Sequence, residues 1–128
     1  MEFCEIGSCL DLIRLLQVPF PEVVVQSITK DMLMGLRYLH EQNVVHRDLK
    51  GGNVLLTNGG RARLTDFGVS GFMEGSKRMT IIGSPYWMAP EVIREVGYSF
   101  PADVWGLGER SKESVSLALS SALRDYCY

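Results

Sequence analysis

Residues 44–56 read VVHRDLKGGNVLL: a short β-branched run, a polar loop and a second apolar run. The loop gathers an imidazole at His46, a guanidinium at Arg47, a carboxylate at Asp48, an ammonium at Lys50 and an amide at Asn53. Carboxylate and amide oxygens are hard ligands for divalent cations, and Arg and Lys donate well to phosphate oxygens. The flanking runs have the length and branching of buried strands, so the loop is presented from a firm base. Such a loop is built for phosphate and metal.

The neighbouring elements must hold it in place. Asp11 is expected to cap a short helix, DLIRLLQ, that stops before Pro19, because the residue preceding a proline avoids the helical region. A longer helix follows. Pro21 suits its first turn, Glu22 suits its positive end, and Val25, Ile28, Met32, Leu36 and Leu39 recur at helical spacing as one apolar stripe. The stripe is core, and the helix should end near Gln42 and Asn43, delivering the chain into the loop. His40 reads as a solvated residue at the helix end. Beyond the loop, Val54, Leu55 and Leu56 and then residues 61–64 flank Thr57-Asn58-Gly59-Gly60, which reads as a hairpin whose Asn-Gly supplies positive φ angles. Residues 68–88 are rich in glycine, serine and threonine and read as a surface loop.

A chain of 128 residues fits one domain and is long enough to bury a core. The net charge of −2 gives no reason to expect nucleic acid or an anionic membrane as partner. Cys4, Cys9 and Cys127 form an odd set in a chain that starts acidic and has no long apolar run. Reduced thiols in a soluble cytoplasmic or nuclear protein are therefore expected. His40 and His46 are the only histidines, which makes a structural zinc site a poor fit.

HRDLKGGN resembles the catalytic loop of eukaryotic protein kinases, H-R-D-L-x-x-x-N. Asp66-Phe67-Gly68 and Ala89-Pro90-Glu91 follow in the order of that family's Asp-Phe-Gly and Ala-Pro-Glu signatures. Three ordered motifs are specific where one alone would not be. MEFC, HRDLKGGN, DFGVS and GSPYWMAPEVI together look most like the serine/threonine kinases at the upstream end of mitogen-activated cascades, the sterile-20-like and related group. The resemblance covers residues 1–108, and residues 109–128 read as a divergent tail. It implies an α+β, protein-kinase-like fold: part of the large C-terminal lobe, mainly α-helical, with a small β-hairpin at the catalytic loop and the small lobe missing.

By that resemblance, Asp48 would accept or orient the proton of a protein substrate's Ser or Thr hydroxyl, and Lys50 would neutralise charge on the transferred phosphoryl group. Asn53 and Asp66 would sit on neighbouring strand ends and hold Mg2+ against the phosphates of ATP. Met1, as gatekeeper, with Glu2 and Cys4 would line the adenine, Ser8 would lie near the ribose, and Leu55 would form the floor. In the activation loop, Thr80, four residues before Ser84, would be phosphorylated by an upstream kinase and pair with Arg47, with Ser76 a weaker candidate. His46, Phe67, Gly68 and Glu91 would be structural, and Asp103 would hold the catalytic-loop backbone. Lys50 and GSPYW argue for Ser/Thr rather than tyrosine substrates.

No Gly-x-Gly-x-x-Gly follows a strand, and no lysine sits in a Val-Ala-Ile-Lys-like strand. The chain thus reads as truncated at both ends and is expected to be inactive alone, since ATP would be covered on one side only. Three readings follow: the catalytic-loop portion of a serine/threonine kinase, a catalytically inactive kinase-like binding module, or a nonfunctional truncated product.

Overall fold

The computed structural model describes residues 4, 6–67, 70–72, 88–94 and 97–114, with side chains described as far as residue 108. The element order is β1 (Gly7–Ser8), α1 (Cys9–Leu16), α2 (Glu22–Glu41), β2 (Val44–Val45), a 3-10 turn (Gly51–Asn53), β3 (Val54–Leu56), β4 (Ala62–Leu64), β5 (Gly71–Phe72), α3 (Pro90–Ile93) and α4 (Phe100–Ser114).

Both early helices form where their periodicity places them, but their ends differ in detail. Ser8, not Asp11, caps α1: the Asp11 N–H donates to Ser8 Oγ at 3.1 Å, and the Ser8 hydroxyl donates to Asp11 Oδ2 at 2.6 Å. The Ser8 oxygen satisfies one first-turn backbone donor and the Asp11 carboxylate orients that hydroxyl, so Asp11 belongs inside the turn. The helix stops at Leu16, short of the proline, because Gln17 turns left-handed at φ 54° and returns its N–H to Ile13 O at 2.9 Å.

Helix α2 starts after Pro21 and runs to Glu41. Val25, Met32 and Leu36 are buried as the stripe requires, joined by Thr29 and Leu33, while Ile28 and Leu39 are half-buried. Its buried face packs on the β3–β4 hairpin. A Cβ at Gly35 would come within 3.2 Å of Leu64 Cδ1, so the bare backbone lets helix and sheet approach closely. Asp31 fastens the same junction, taking Arg61 Nε at 2.9 Å, Arg61 Nη2 at 2.7 Å and the Ala62 N–H at 2.9 Å. This bidentate pair plus a backbone donor ties the turn of the hairpin to the middle of α2.

The hairpin pairs Val54 with Leu64 and Leu56 with Ala62 in antiparallel register. Its positive φ falls on Gly60 at 71°, not on Asn58-Gly59, and the Gly60 N–H closes on Thr57 O at 2.9 Å. The sheet is larger than a hairpin. β1 lies antiparallel on β3 with Gly7 opposite Leu56, giving the order β1-β3-β4, and β2 pairs with β5 in a second, two-stranded sheet. The larger core runs through Phe20, Met32, Leu36, Leu49, Val54 and Leu107, and a smaller one gathers Val45, Ala89, Val92, Tyr98 and Ala102. The loop 46–50 spans the seam between them, with Val45 in one core and Leu49 in the other.

Candidate functional site

β2 ends at Val45, and the next two backbone N–H groups are caught at once by a single carboxylate. The His46 N–H donates to Asp103 Oδ2 and the Arg47 N–H to Asp103 Oδ1, each at 2.8 Å. Asp103 is 1% exposed, in the first turn of α4. A buried carboxylate tolerates that position only when its oxygens are hydrogen-bonded. The two bonds hold Arg47 at φ 69°, a left-handed conformation that costs a non-glycine residue about 1–2 kcal/mol.

The clamp aims Asp48. Asn53 Nδ2 donates to Asp48 O at 2.8 Å and to Asp48 Oδ2 at 3.2 Å, and Lys50 Nζ donates to the same Oδ2 at 2.6 Å. Asn53 is itself fixed by the 3-10 turn, its N–H on Lys50 O at 2.8 Å. With both amide protons of Asn53 directed at Asp48, its Oδ1 is the oxygen left to meet a cation. The Thr65 N–H donates to Asn53 O at 3.0 Å, extending the β3–β4 ladder so that Asn53 and Asp66 stand at adjoining strand ends. Asp66 is exposed and left-handed at φ 62°. An amide oxygen and a carboxylate are the hard donors Mg2+ prefers, so this pair fits such an ion.

His46 is fully buried and braces the floor. Its Nε2 lies 3.1 Å from Thr65 O, a carbonyl that only accepts, which assigns the proton to Nε2. Nδ1 then accepts the Asp48 N–H at 3.4 Å. The Phe67 ring lies against the imidazole at 5.4 Å and is 49% exposed on its other side.

Of the residues assigned to nucleotide contact, Ser8 and Leu55 are direct cross-strand partners in the β1–β3 ladder, and Cys4 is half-buried just before it, with its carbonyl accepting from Gly7 N at 3.3 Å. The Ser8 hydroxyl is already engaged as a helix cap. Glu91 lies in the first turn of α3, half-buried. Met1, Glu2, Gly68, Ser76, Thr80 and Ser84 lie outside the described residues.

Two residues escaped the sequence reading. His40 is not solvated: its side chain is 12% exposed, Nε2 is 2.9 Å from Asp103 Oδ2, and its ring packs on Phe100 at 4.7 Å. Its place one turn after buried Leu36 was the available signal. Tyr98 is buried beside Arg47, Asp48 and Asp103. Burial first, and then the negative charge of Asp103, push its phenol far above the usual tyrosine range.

Among the described residues no helix is long and apolar enough to cross a membrane. The family model described as "Protein kinase domain" matches residues 1–115. Two curated relatives, the "Serine/threonine-protein kinase cst-1" of Caenorhabditis briggsae and that of Caenorhabditis elegans, are each 48% identical over 110 residues, covering 84% of this chain. The chain spans 22% of the length of each of these relatives.

Proposed function

The chain belongs to the protein kinase domain family, and from that premise we propose that it carries the catalytic and metal-holding side of a serine/threonine kinase active site. Residues 1–108 are read as hinge and partial large lobe, and residues 109–128 as a tail. The observation that carries the reading is the arrangement around Asp48, where a nine-tenths buried carboxylate is held at once by Lys50, Asn53 and a backbone clamped by Asp103.

In the proposed reaction, the hydroxyl oxygen of a Ser or Thr side chain attacks the γ-phosphorus of ATP. The bond from that phosphorus to the β–γ bridging oxygen breaks, and ADP leaves. Asp48 Oδ2 orients the attacking hydroxyl and takes its proton. Lys50 Nζ, already beside that oxygen, moves little to meet the negative charge spreading over the transferred group. Asn53 Oδ1 and the Asp66 carboxylate would hold Mg2+, which when bound would supply positive charge to offset that of the phosphates. Catalysis is then mainly positioning, and the site is built of groups fixed by backbone hydrogen bonds.

Cys4, Ser8 and Leu55 form the nucleotide-facing edge of the same proposal, completed by Met1 and Glu2. Thr80 is the proposed phosphorylation site for an upstream kinase, read by Arg47. A cytoplasmic or nuclear location agrees with reduced cysteines at Cys4 and Cys9.

The test is transfer of labelled γ-phosphate to a Ser/Thr protein substrate by the native protein that carries this sequence. Mg2+-dependent transfer that disappears in Asp48→Asn and Asp66→Asn, with folding retained, is the expected result. Undiminished transfer in Asp48→Asn would sink the assignment.

A further inference from the structure

The junction of α2 with the β3–β4 hairpin holds a polar fastening that the phosphotransfer scheme leaves unused. Asp31 Oδ2 accepts Arg61 Nε and the Ala62 N–H, each at 2.9 Å, and Oδ1 accepts Arg61 Nη2 at 2.7 Å. The Asp31 side chain is 8% exposed, so a nearly enclosed carboxylate in the middle of a helix draws its three donors from the start of β4. One turn further along α2, Gly35 lies so close to Leu64 that a Cβ there would come within 3.2 Å of Leu64 Cδ1.

We propose that Asp31 is a positioning residue for phosphotransfer: by fixing the register of β4 along α2 it sets where the Asp66 carboxylate stands relative to Asn53 and Asp48. The inference rests on the kinase reading given above.

The two contacts match in spacing. From Asp31 to Gly35 the helix rises about 6.0 Å, and from Ala62 to Leu64 the strand advances about 6.6 Å, so α2 and β4 run side by side in the same direction. Both then lead to the site. Helix α2 delivers the chain through Val44–Val45 into the loop that carries Asp48, and β4 delivers it through Thr65 to Asp66. Asn53 is tied to both branches, by its amide to Asp48 O and by its carbonyl to the Thr65 N–H. A shift of β4 along α2 therefore strains one of those bonds and moves Asp66 away from Asn53 Oδ1.

Apolar packing at this junction is non-directional, whereas the three hydrogen bonds of Asp31 are not. A one-residue slip would turn Arg63 inward and Ala62 outward, and it would strip an enclosed carboxylate of its donors. Asp31 acts only through β4: among the described residues, its side-chain polar contacts all go to Arg61 and Ala62.

Two variants of the native protein that carries this sequence separate this role from a general contribution to folding. Asp31→Leu keeps the bulk and loses every acceptor, and Asp31→Asn keeps one oxygen that can take the Ala62 N–H. Hydrogen–deuterium exchange, without nucleotide or metal, is read at the Thr65 amide, with the amides of α1 and α4 as internal reference. Asp31→Leu is expected to speed exchange at Thr65 by at least about tenfold while the reference amides hold, with Asp31→Asn within about threefold of wild type. In phosphotransfer assays, the Mg2+ concentration for half-maximal rate is expected to rise at least about tenfold in Asp31→Leu, with KM for the protein substrate little changed, and to return toward wild type in Asp31→Asn. Partial unfolding alone would lower the rate at every Mg2+ concentration and leave that midpoint in place. Unchanged exchange at Thr65, loss of protection in the reference helices, an unmoved Mg2+ midpoint or no recovery with asparagine overturns the proposal. Absence of transfer by the wild-type protein would instead sink the kinase reading, and exchange at Thr65 would still decide whether Asp31 sets the register.

Discussion

Lys50 Nζ lies 2.6 Å from Asp48 Oδ2, so the two side chains that flank buried Leu49 meet on one face of the loop. The lysine is 34% exposed and the carboxylate 10%, a partly wet pair whose net contribution to folding is small. Its proposed value is to phosphate transfer. Lys50→Ala should lower kcat in the native protein by about 10²–10³-fold, as removal of a charge-stabilising donor does. Stability should move by no more than about 0.5 kcal/mol. A kinetic assay paired with urea unfolding checks both, and a large stability loss with unchanged kcat would refute the assignment.

Ser8 pairs with Leu55 in the β1–β3 ladder, and its hydroxyl caps α1. Ser8→Ala should cost about 1 kcal/mol, whereas Ser8→Asp, which can still accept the first-turn N–H, should cost less. Equilibrium unfolding of the two variants distinguishes a cap from an inert buried serine, which would make them equal.

Leu36 has no exposed surface and lies in the larger core, facing the hairpin that carries Asn53 and Asp66. Leu36→Ala should destabilise by about 2–5 kcal/mol through lost transfer energy and the cavity left behind. Met34, on the opposite face of α2 and 57% exposed, offers the control: Met34→Ala should stay within about 0.5 kcal/mol. Similar losses at both positions would contradict the packing described.

Tyr98 predicts an alkaline limit to stability. Its phenol is raised well above the ordinary 10.0 by burial and by Asp103, so above pH 10 the unfolded chain releases this proton while the folded chain keeps it. The unfolded state then binds fewer protons, and stability falls as pH rises. The contribution is intact below pH 10 and is lost progressively above it. Tyr98→Phe should flatten that alkaline decline, as urea midpoints from pH 8 to 11 will show; an unchanged slope would mean the phenol is not the titrating group.

Much of the local structure was legible because short-range rules carry it. The apolar spacing of Val25, Met32 and Leu36 placed α2 correctly, and the Thr57-Asn58-Gly59-Gly60 cluster located the hairpin. Errors gathered at the ends. Asp11 and Ser8 are both good caps, and the choice fell to Ser8, whose Oγ accepts the Asp11 N–H. Likewise the turn needed one positive φ, and register rather than the Asn-Gly pair put it on Gly60.

By itself the sequence pointed to the family: the types and order of His46, Arg47, Asp48, Lys50, Asn53 and Asp66 resemble the catalytic-loop and Asp-Phe-Gly motifs of protein kinases, and the family match agrees. Only the tertiary structure decided how the loop is held. Asp103 lies more than fifty residues from His46 and Arg47 in the chain, and His40 is 63 away from Asp103. No periodicity links partners at such separations, and a histidine near a helix end looks the same whether it meets water or a buried carboxylate. The packing of α4 against the end of α2 makes that choice, by removing water from Asp103 and leaving it three nitrogen donors.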